Sequence, residues 1–515
     1  MSRQLFKSTV MVGSMTLISR ILGFIRDMLI AHIFGVNSAT DAFFVAFKIP
    51  NFLRRLFAEG AFAHAFVPLL SDYKERGGKI ALKQFIDKTA GTLSVILVLM
   101  TLIGVVAAPV LIMLLAPGFM WQGSQYELSV QLLQITFPYL FFIALVAFAG
   151  GILNAHGQFA IPALTPVFLN ICMIAATVWL APLMQEPVTA LAWGVFAAGI
   201  VQLAFQIPAL IRLGLMPRPR LGFNDSGVKR IIGLMLPAIF SVSVTQINLL
   251  LDTLIASFLT VGSVSWLYYS DRLVEFPLGI LGLAPATVIL PNLSKSHAAE
   301  DAVAFSTTLD WGLRLVILIG LPATIGLLLL AEPMLSTLYQ YHEFSVSDVH
   351  LAGQSLKAYS LGLLGFILIK VLVPGFTARG DMKTPVRYGV YAMIVSLALN
   401  VMLVFPLAHA GLALATSLGA FFNAALLLIK LQKDRVYQPA IGWRLFFIRV
   451  SLAGAVMSAG LYYGVDADWW NQWDSWTRII NLLKWIVLGL VCYIATLLLT
   501  GLRIKHLTAI QSHQR

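Results

Sequence analysis

Charge is what this chain has least of. Only 11% of its 515 residues are Asp, Glu, Lys or Arg, while 59% are hydrophobic. A soluble globular chain is about a quarter charged and about half apolar. So little charge at this length leaves too little polar surface to cover a water-soluble body. That excludes a soluble enzyme and marks a polytopic membrane protein. Cysteine is nearly absent: Cys172 and Cys492 both sit inside apolar runs, which excludes a disulfide framework and a cysteine metal cluster. A GxxxxGK[ST] phosphate loop and an HExxH pair are missing, and the nine histidines are scattered. ATP hydrolysis within this chain, metal chemistry and a cofactor are therefore not expected, and energy must come from gradients or the membrane potential. No cleavable signal is expected either. Lys7 precedes an apolar run, but Arg20, Arg26 and Asp27 follow without a small-residue cleavage site. The 35 Lys and Arg against 23 Asp and Glu give a net charge of +12, an excess that on a membrane chain reports topology rather than nucleic-acid binding.

What is present is a long series of apolar runs. A helix needs about 20 mostly apolar residues to cross the bilayer core. Candidate spans of that kind number fourteen: 8–34, 41–70, 86–116, 128–154, 160–183, 187–213, 230–261, 264–293, 306–339, 352–378, 385–406, 409–432, 444–465 and 478–501. The connections alternate in charge. One set carries basic residues throughout, among them Lys74, Lys79, Lys83, Arg218, Arg220, Arg379, Lys383, Lys433, Arg435, Arg503, Lys505 and Arg515. The other set, at 35–40, 117–127, 184–186, 262–263, 340–351, 407–408 and 466–477, contains no Lys or Arg. Basic connections stay cytoplasmic, which predicts both termini on that side. In the last outer connection Trp469, Trp470, Trp473 and Trp476 stand among Asp466, Asp468 and Asp474 and read as an aromatic interface belt.

The chain also repeats itself. Asp27-x-Leu-Ile-Ala returns as Asp252-x-Leu-Ile-Ala, an offset of 225. Pro68 and Ser71 return as Pro291 and Ser294, and Ala155-His-Gly157 with Pro162 returns as Ala378-Arg-Gly380 with Pro385, all at 223. Pro109 and Pro333 lie 224 apart. The offset covers six spans, an even number, so both copies insert in the same orientation as a parallel repeat. The predicted architecture is all-α: one lobe over 1–221, a second over 222–436, and two further spans with a C-terminal tail over 437–515. Two such lobes with a cavity at their interface favour a transporter working by alternating access.

Three spans carry charges where lipid would be expected. The first holds Arg20, Arg26 and Asp27; the second holds Asp41, Lys48, Arg54, Arg55 and Glu59; the eighth holds Asp271, Arg272 and Glu275. Three such residues facing lipid cost roughly 9 kcal/mol on insertion scales, so they must face protein or water. Arg55 and Glu59 are spaced to pair along one helix. One reading is structural charge pairs tying helices together, with Arg20 and Lys48 snorkelling toward an interface. The other is a hydrated cavity whose arginines meet an anionic substrate. The planar guanidinium fork suits phosphate. Asp252 and Asn400 are further intramembrane polar residues, read either as a coupling-ion site or as local interhelical contacts.

The segments Ser19-Arg20-Ile-Leu-Gly-Phe-Ile-Arg26-Asp27, Thr40-Asp41-Ala-Phe-Phe-Val-Ala-Phe-Lys48 through Arg54-Arg55 to Glu59, Trp266 through Tyr269, Asp271-Arg272 and Glu275, and Pro374-Gly-Phe-Thr-Ala-Arg379 with Lys383 and Pro385 closely resemble the MurJ (MviN) family of lipid II flippases. The resemblance runs over nearly the whole chain. It implies the MATE-like fold of the MOP exporter superfamily. It also implies a substrate, undecaprenyl pyrophosphate carrying a disaccharide-pentapeptide, moved from the cytoplasmic to the periplasmic leaflet for peptidoglycan synthesis. The family's functional charges correspond here to Arg20, Arg26, Asp27, Asp41, Arg54, Arg55, Glu59 and Arg272, and its last two spans to a hydrophobic groove for the lipid tail. The expected setting is the bacterial inner membrane, as a monomer among membrane lipids and cell-wall synthesis proteins. Two other functions stay open beside this one: an antiporter of drugs or metabolites with the same fold, and a non-transporting membrane scaffold for cell-wall enzymes.

Overall fold

In a computed structural model the structure describes residues 3–56, 61–76 and 78–502. Glu59 and the basic residues Arg503, Lys505 and Arg515 lie outside the described residues. Helices make up 85% of the structure, and the described residues contain no strand. The chain forms two compact units, Met1–Ser265 and Trp266–Arg515.

The first unit begins with α1 (Arg3–Phe34), α2 (Ser38–Arg54), α3 (Ala61–Arg76), α4 (Gly78–Val106) and α5 (Ala108–Leu115). It continues with α6 (Ser124–Thr136), α7 (Tyr139–Ala155), α8 (Ala160–Ala175), α9 (Thr189–Arg212) and α10 (Ser226–Ala256). Local chemistry sets the breaks. Gly35, at φ +63°, ends α1 in a backbone conformation that suits glycine. Asn37 then caps α2, its side chain accepting from the backbone of Ala39 and Thr40 while the Thr40 hydroxyl accepts from the Asn37 N–H. Within this unit α1 packs on α8, α7 on α9, α2 on α6 and α10 on α3.

α11 (Ser263–Ala298) starts in the first unit and runs on into the second. Then follow α12 (Ala302–Leu329), α13 (Ala331–Leu338), α14 (Val346–Thr377), α15 (Lys383–Lys433), α16 (Trp443–Gly464), α17 (Ala467–Gln472) and α18 (Ser475–Leu499). At 1.5 Å per residue, the 51 residues of α15 would span about 77 Å, far more than a bilayer. The chain instead turns at Ala408, whose φ is 48° and ψ −128°. A Cβ on Gly411 would collide with the Leu403 carbonyl oxygen, whereas residues eight apart in a straight helix are separated by about 12 Å. The two expected spans 385–406 and 409–432 are thus two helices folded back on each other.

Nine helical stretches among the described residues are long and apolar enough to cross a membrane. α15 counts once in that tally. α1, α2 with α3, α10 and α11 fall outside it, and these include every segment in which the sequence showed intramembrane charge. Large apolar side chains are left on the surface, such as Val106 and Phe405 at 80% and 85% exposure. In water such faces would drive association; they suit acyl chains.

The repeat reappears in the helix boundaries. α5 and α13 each have eight residues and start 223 apart, and the breaks before them fall at Ala107 and Leu330. α8 and α15 start 223 apart as well. The proline just inside α5, Pro109, and that inside α13, Pro333, have no N–H to give and tolerate the first turn of a helix best, so each marks where a span restarts.

The last two long helices pack on α12 and α13 through Val450, Ala453, Met457, Leu461, Leu482 and Tyr493. The expected tryptophan belt divides here. Trp469 and Trp476 are exposed, but Trp470 is fully buried and donates from Nε1 to the Thr337 hydroxyl at 3.0 Å.

Candidate functional site

The first cluster sits where α1 meets α8. Arg26 and Asp27 are 4% and 0% exposed in an otherwise apolar contact. Arg26 donates to Asp27 Oδ1 from Nε at 2.9 Å and from Nη2 at 2.6 Å. Its Nη1 donates to Asn170 Oδ1 on α8 at 3.0 Å and approaches the Met173 sulfur at 3.8 Å. Asn170 in turn donates from Nδ2 to the Ser19 carbonyl at 2.9 Å, over the bare backbone of Gly23. A buried charge is tolerated only when paired and hydrogen-bonded, and this network supplies both. Arg20, one and a half turns earlier, is exposed on α1.

The second cluster lies along α2. Asp41 is buried, and its carboxylate accepts from the Gly262 N–H at 2.6 Å, the Ser265 N–H at 2.9 Å and the Ser265 hydroxyl at 2.6 Å. Those donors belong to the first turn of α11 and the residue before it. A carboxylate there satisfies N–H groups that have no partner inside the helix and meets the positive end of its dipole. Two turns along α2, the Lys48 ammonium donates to the Thr253 hydroxyl on α10, next to buried Asp252. One face of α2 therefore binds both the start of α11 and the last turn of α10. Further on, Arg54 donates from Nε and Nη2 to Asn51 Oδ1 at 3.1 and 3.0 Å. Arg54 and Arg55 are half-buried. The proposed Arg55–Glu59 pair lies outside the described residues, because Glu59 does.

The third group is on α11, within the second unit. Arg272 Nη1 pairs with Glu275 Oε2 at 2.7 Å, and its guanidinium carbon stands 5.8 Å from the Tyr268 ring centre. Both partners are about one-third exposed, so this pair is worth little to stability. Asn400 is fully buried in the first half of α15.

Sequence reasoning missed Asn170 and Arg478. Arg478 is buried, and it donates to the carbonyls of Ser336 and Gln340 at the end of α13 and to that of Trp473, a cation on the negative end of a helix. Its position as the first basic residue after the aspartates of 466–474 was the available signal. Along α18, Ile480, Leu483, Val487, Leu488 and Val491 line an open apolar depression, with Lys484 at its edge.

Among the described residues, helices with charge inside apolar bundles and this element order define a polytopic membrane protein whose fold is shared with transporters of the MOP superfamily. A MATE-family multidrug transporter of that superfamily, in an inward-facing conformation, matches with a TM-score of 0.69 over 83% of this chain and 98% of its own, at 12% identity, a likeness of fold alone. The family model described as lipid II flippase MurJ matches residues 30–484, and the chain belongs to that family. The probable lipid II flippase MurJ of Vibrio cholerae is 48% identical over 99% of this chain and 98% of its own length. The lipid II flippase MurJ of Burkholderia cenocepacia is 40% identical over 97% and 98%. A solved structure titled lipid II flippase MurJ, inward closed conformation, aligns with a TM-score of 0.81 at 26% identity, covering 95% of this chain and 98% of that one.

Proposed function

We propose that this chain is a lipid II flippase. It carries the undecaprenyl-pyrophosphate-linked disaccharide-pentapeptide from the cytoplasmic to the periplasmic leaflet of the bacterial inner membrane by alternating access, for cell-wall synthesis. The observation that carries the reading is the likeness, over nearly the full length, to proteins of that name. The chemistry agrees. The headgroup is too large and too charged to cross hydrocarbon unaided, and a buried guanidinium matches its pyrophosphate in charge and geometry. Arg20, Arg26, Arg54, Arg55 and Arg272 are the cationic groups that meet the pyrophosphate. Asp27 and Glu59 balance them, and Asp41 holds the start of α11, the helix that bears Arg272. Asp252 and Asn400 are the places to look for a coupling ion. The protein makes and breaks no covalent bond of its substrate, works as a monomer and keeps both termini in the cytoplasm.

An antiporter of organic cations would need an acidic or aromatic cavity, and the arginines argue against it. Depletion of the protein is expected to leave lipid II in the cytoplasmic leaflet. Arg272→Ala is expected to insert normally and fail to translocate, scored by lipid II accessibility at the outer face and by uptake of a cationic dye. Normal lipid II export by a well-expressed Arg272→Ala protein would remove Arg272 from the mechanism. Growth of a charge-neutralised variant at normal rate would favour a scaffold instead.

A further inference from the structure

Arg26 is held from two sides by groups of different kinds. Asp27, its neighbour on α1, takes Nε–H and Nη2–H on one carboxylate oxygen. Asn170, on α8, takes Nη1–H with its amide oxygen. The aspartate balances the charge. The amide carries no charge to cancel, yet it adds a directional contact at Nη1, on the side of the guanidinium opposite the Nε and Nη2 contacts to Asp27. The amide is itself aimed: its Nδ2–H is committed to the Ser19 carbonyl. Gly23 lies under it, and a Cβ there would come 3.6 Å from the amide nitrogen and oxygen, in ordinary contact. Asn170 is 5% exposed. A polar side chain so placed in an apolar helix costs free energy unless its hydrogen bonds are made, and both of its bonds go to α1, one of them to Arg26.

We propose that Asn170 is a positioning residue for substrate binding. It orients the Arg26 guanidinium toward the pyrophosphate without consuming its charge. The proposal rests on the reading that Arg26 meets the pyrophosphate. Its effect runs through pre-organisation: a long side chain held in its binding rotamer before the ligand arrives loses less freedom on binding.

The test is a double-mutant cycle on the purified full-length chain in lipid nanodiscs, with lipid II affinity measured by thermophoresis and folding followed by thermal unfolding. Asn170→Ala in the wild-type background is expected to weaken lipid II binding about three- to tenfold, the cost of immobilising one flexible side chain. In an Arg26→Lys background, which keeps the charge but has no planar fork, Asn170→Ala is expected to change affinity no further. Asn170→Ser serves where the alanine variant is poorly folded, with the same expectation. Equal weakening in both backgrounds, or unchanged affinity in the wild-type background, overturns the positioning role. Unchanged affinity for Arg26→Lys and Arg26→Ala alone overturns instead the reading of Arg26 as a pyrophosphate ligand, and the positioning role with it.

Discussion

Arg26 shows how a charge persists inside an apolar bundle. It lies beside Asp27 in sequence, so the pair was legible from adjacency, and the structure joins the two at 2.6 Å. The third member was not legible. Asn170 is one polar residue in the apolar run 160–183, where a single amide has no period and no partner within reach along the chain. Only helix packing brings it to Arg26. At the same scale, Ala408 carries a visible strain. Its φ of 48° with ψ of −128° lies in a region that alanine disfavours and glycine tolerates, at a cost of about 1–3 kcal/mol. Ala408→Gly relieves that strain against a smaller loss of chain entropy. We expect the variant to be more stable by about 1 kcal/mol, read as a higher midpoint of thermal unfolding in detergent, with lipid II export unchanged. A lower midpoint would show that the turn is not strained.

At the scale of elements, the duplicated halves fasten their connecting segments in the same way. Asp87 on α4 and Asp310 on α12 are 223 residues apart and both buried. Asp87 accepts the Arg218 N–H at 2.7 Å and pairs with Lys83 one turn before it. Asp310 accepts the Ala440 N–H at 3.1 Å, the Tyr437 hydroxyl at 2.9 Å and the Trp443 indole at 2.6 Å, and pairs with Arg314 one turn after it. In each unit a carboxylate on one helix thus lashes down the segment that leaves the half's last span. Burial and the adjacent Asp310 charge push the Tyr437 hydroxyl above its ordinary range, so it stays a donor. Asp310→Ala strands these donors, and Arg314 with them, at a cost of about 3 kcal/mol. We expect faster proteolysis between 434 and 442 in that variant, with the rest of the chain cut at the wild-type rate.

The first connector ends in a pH-dependent contact. Burial raises the Asp225 carboxyl, but the Lys88 ammonium at 2.8 Å and the Val228 and Gly227 N–H groups outweigh it and hold the group below its ordinary 3.8. A depressed carboxyl contributes stability that is present above the unfolded value and lost as pH falls through the folded one. The stability difference between wild type and Asp225→Asn is therefore expected to be constant from pH 8 to about pH 5 and to shrink only below about pH 4. Thermal unfolding across that range checks it, and a difference that changes near neutrality would contradict it. The sequence pointed to the basic residues of this connector but not to their partners. Carboxylates at 87 and 310 look like any charge near the end of a span until the returning segment is seen against them.

For the whole molecule, the alternating charge of the connections predicts a topology that labelling can test. Single cysteines placed at 186, 343 and 471, in a chain with Cys172 and Cys492 replaced, should react with an impermeant maleimide from the periplasmic side. Cysteines at 381 and 435 should react only after the membrane is opened. Reaction of both sets from one side would refute the assignment of sides. The recurrence of helix boundaries at 223 residues, at α5 and α13 and at α8 and α15, is the structural counterpart of the sequence repeat.

Sequence alone determined the class. Apolar length and scarcity of charge dictate membrane helices, because unpaired backbone and bare charge are too costly in hydrocarbon. The repeat and the charged motifs were likewise written in residue order and spacing. Tertiary structure decided which charges meet which partners: Asp41 at the start of α11, Arg26 on Asn170, Asp310 under the returning connector. Those pairings join residues more than a hundred positions apart. Chain order carries no record of them, since the packing of one helix on another, and not the local sequence, fixes which side chains come within hydrogen-bond reach.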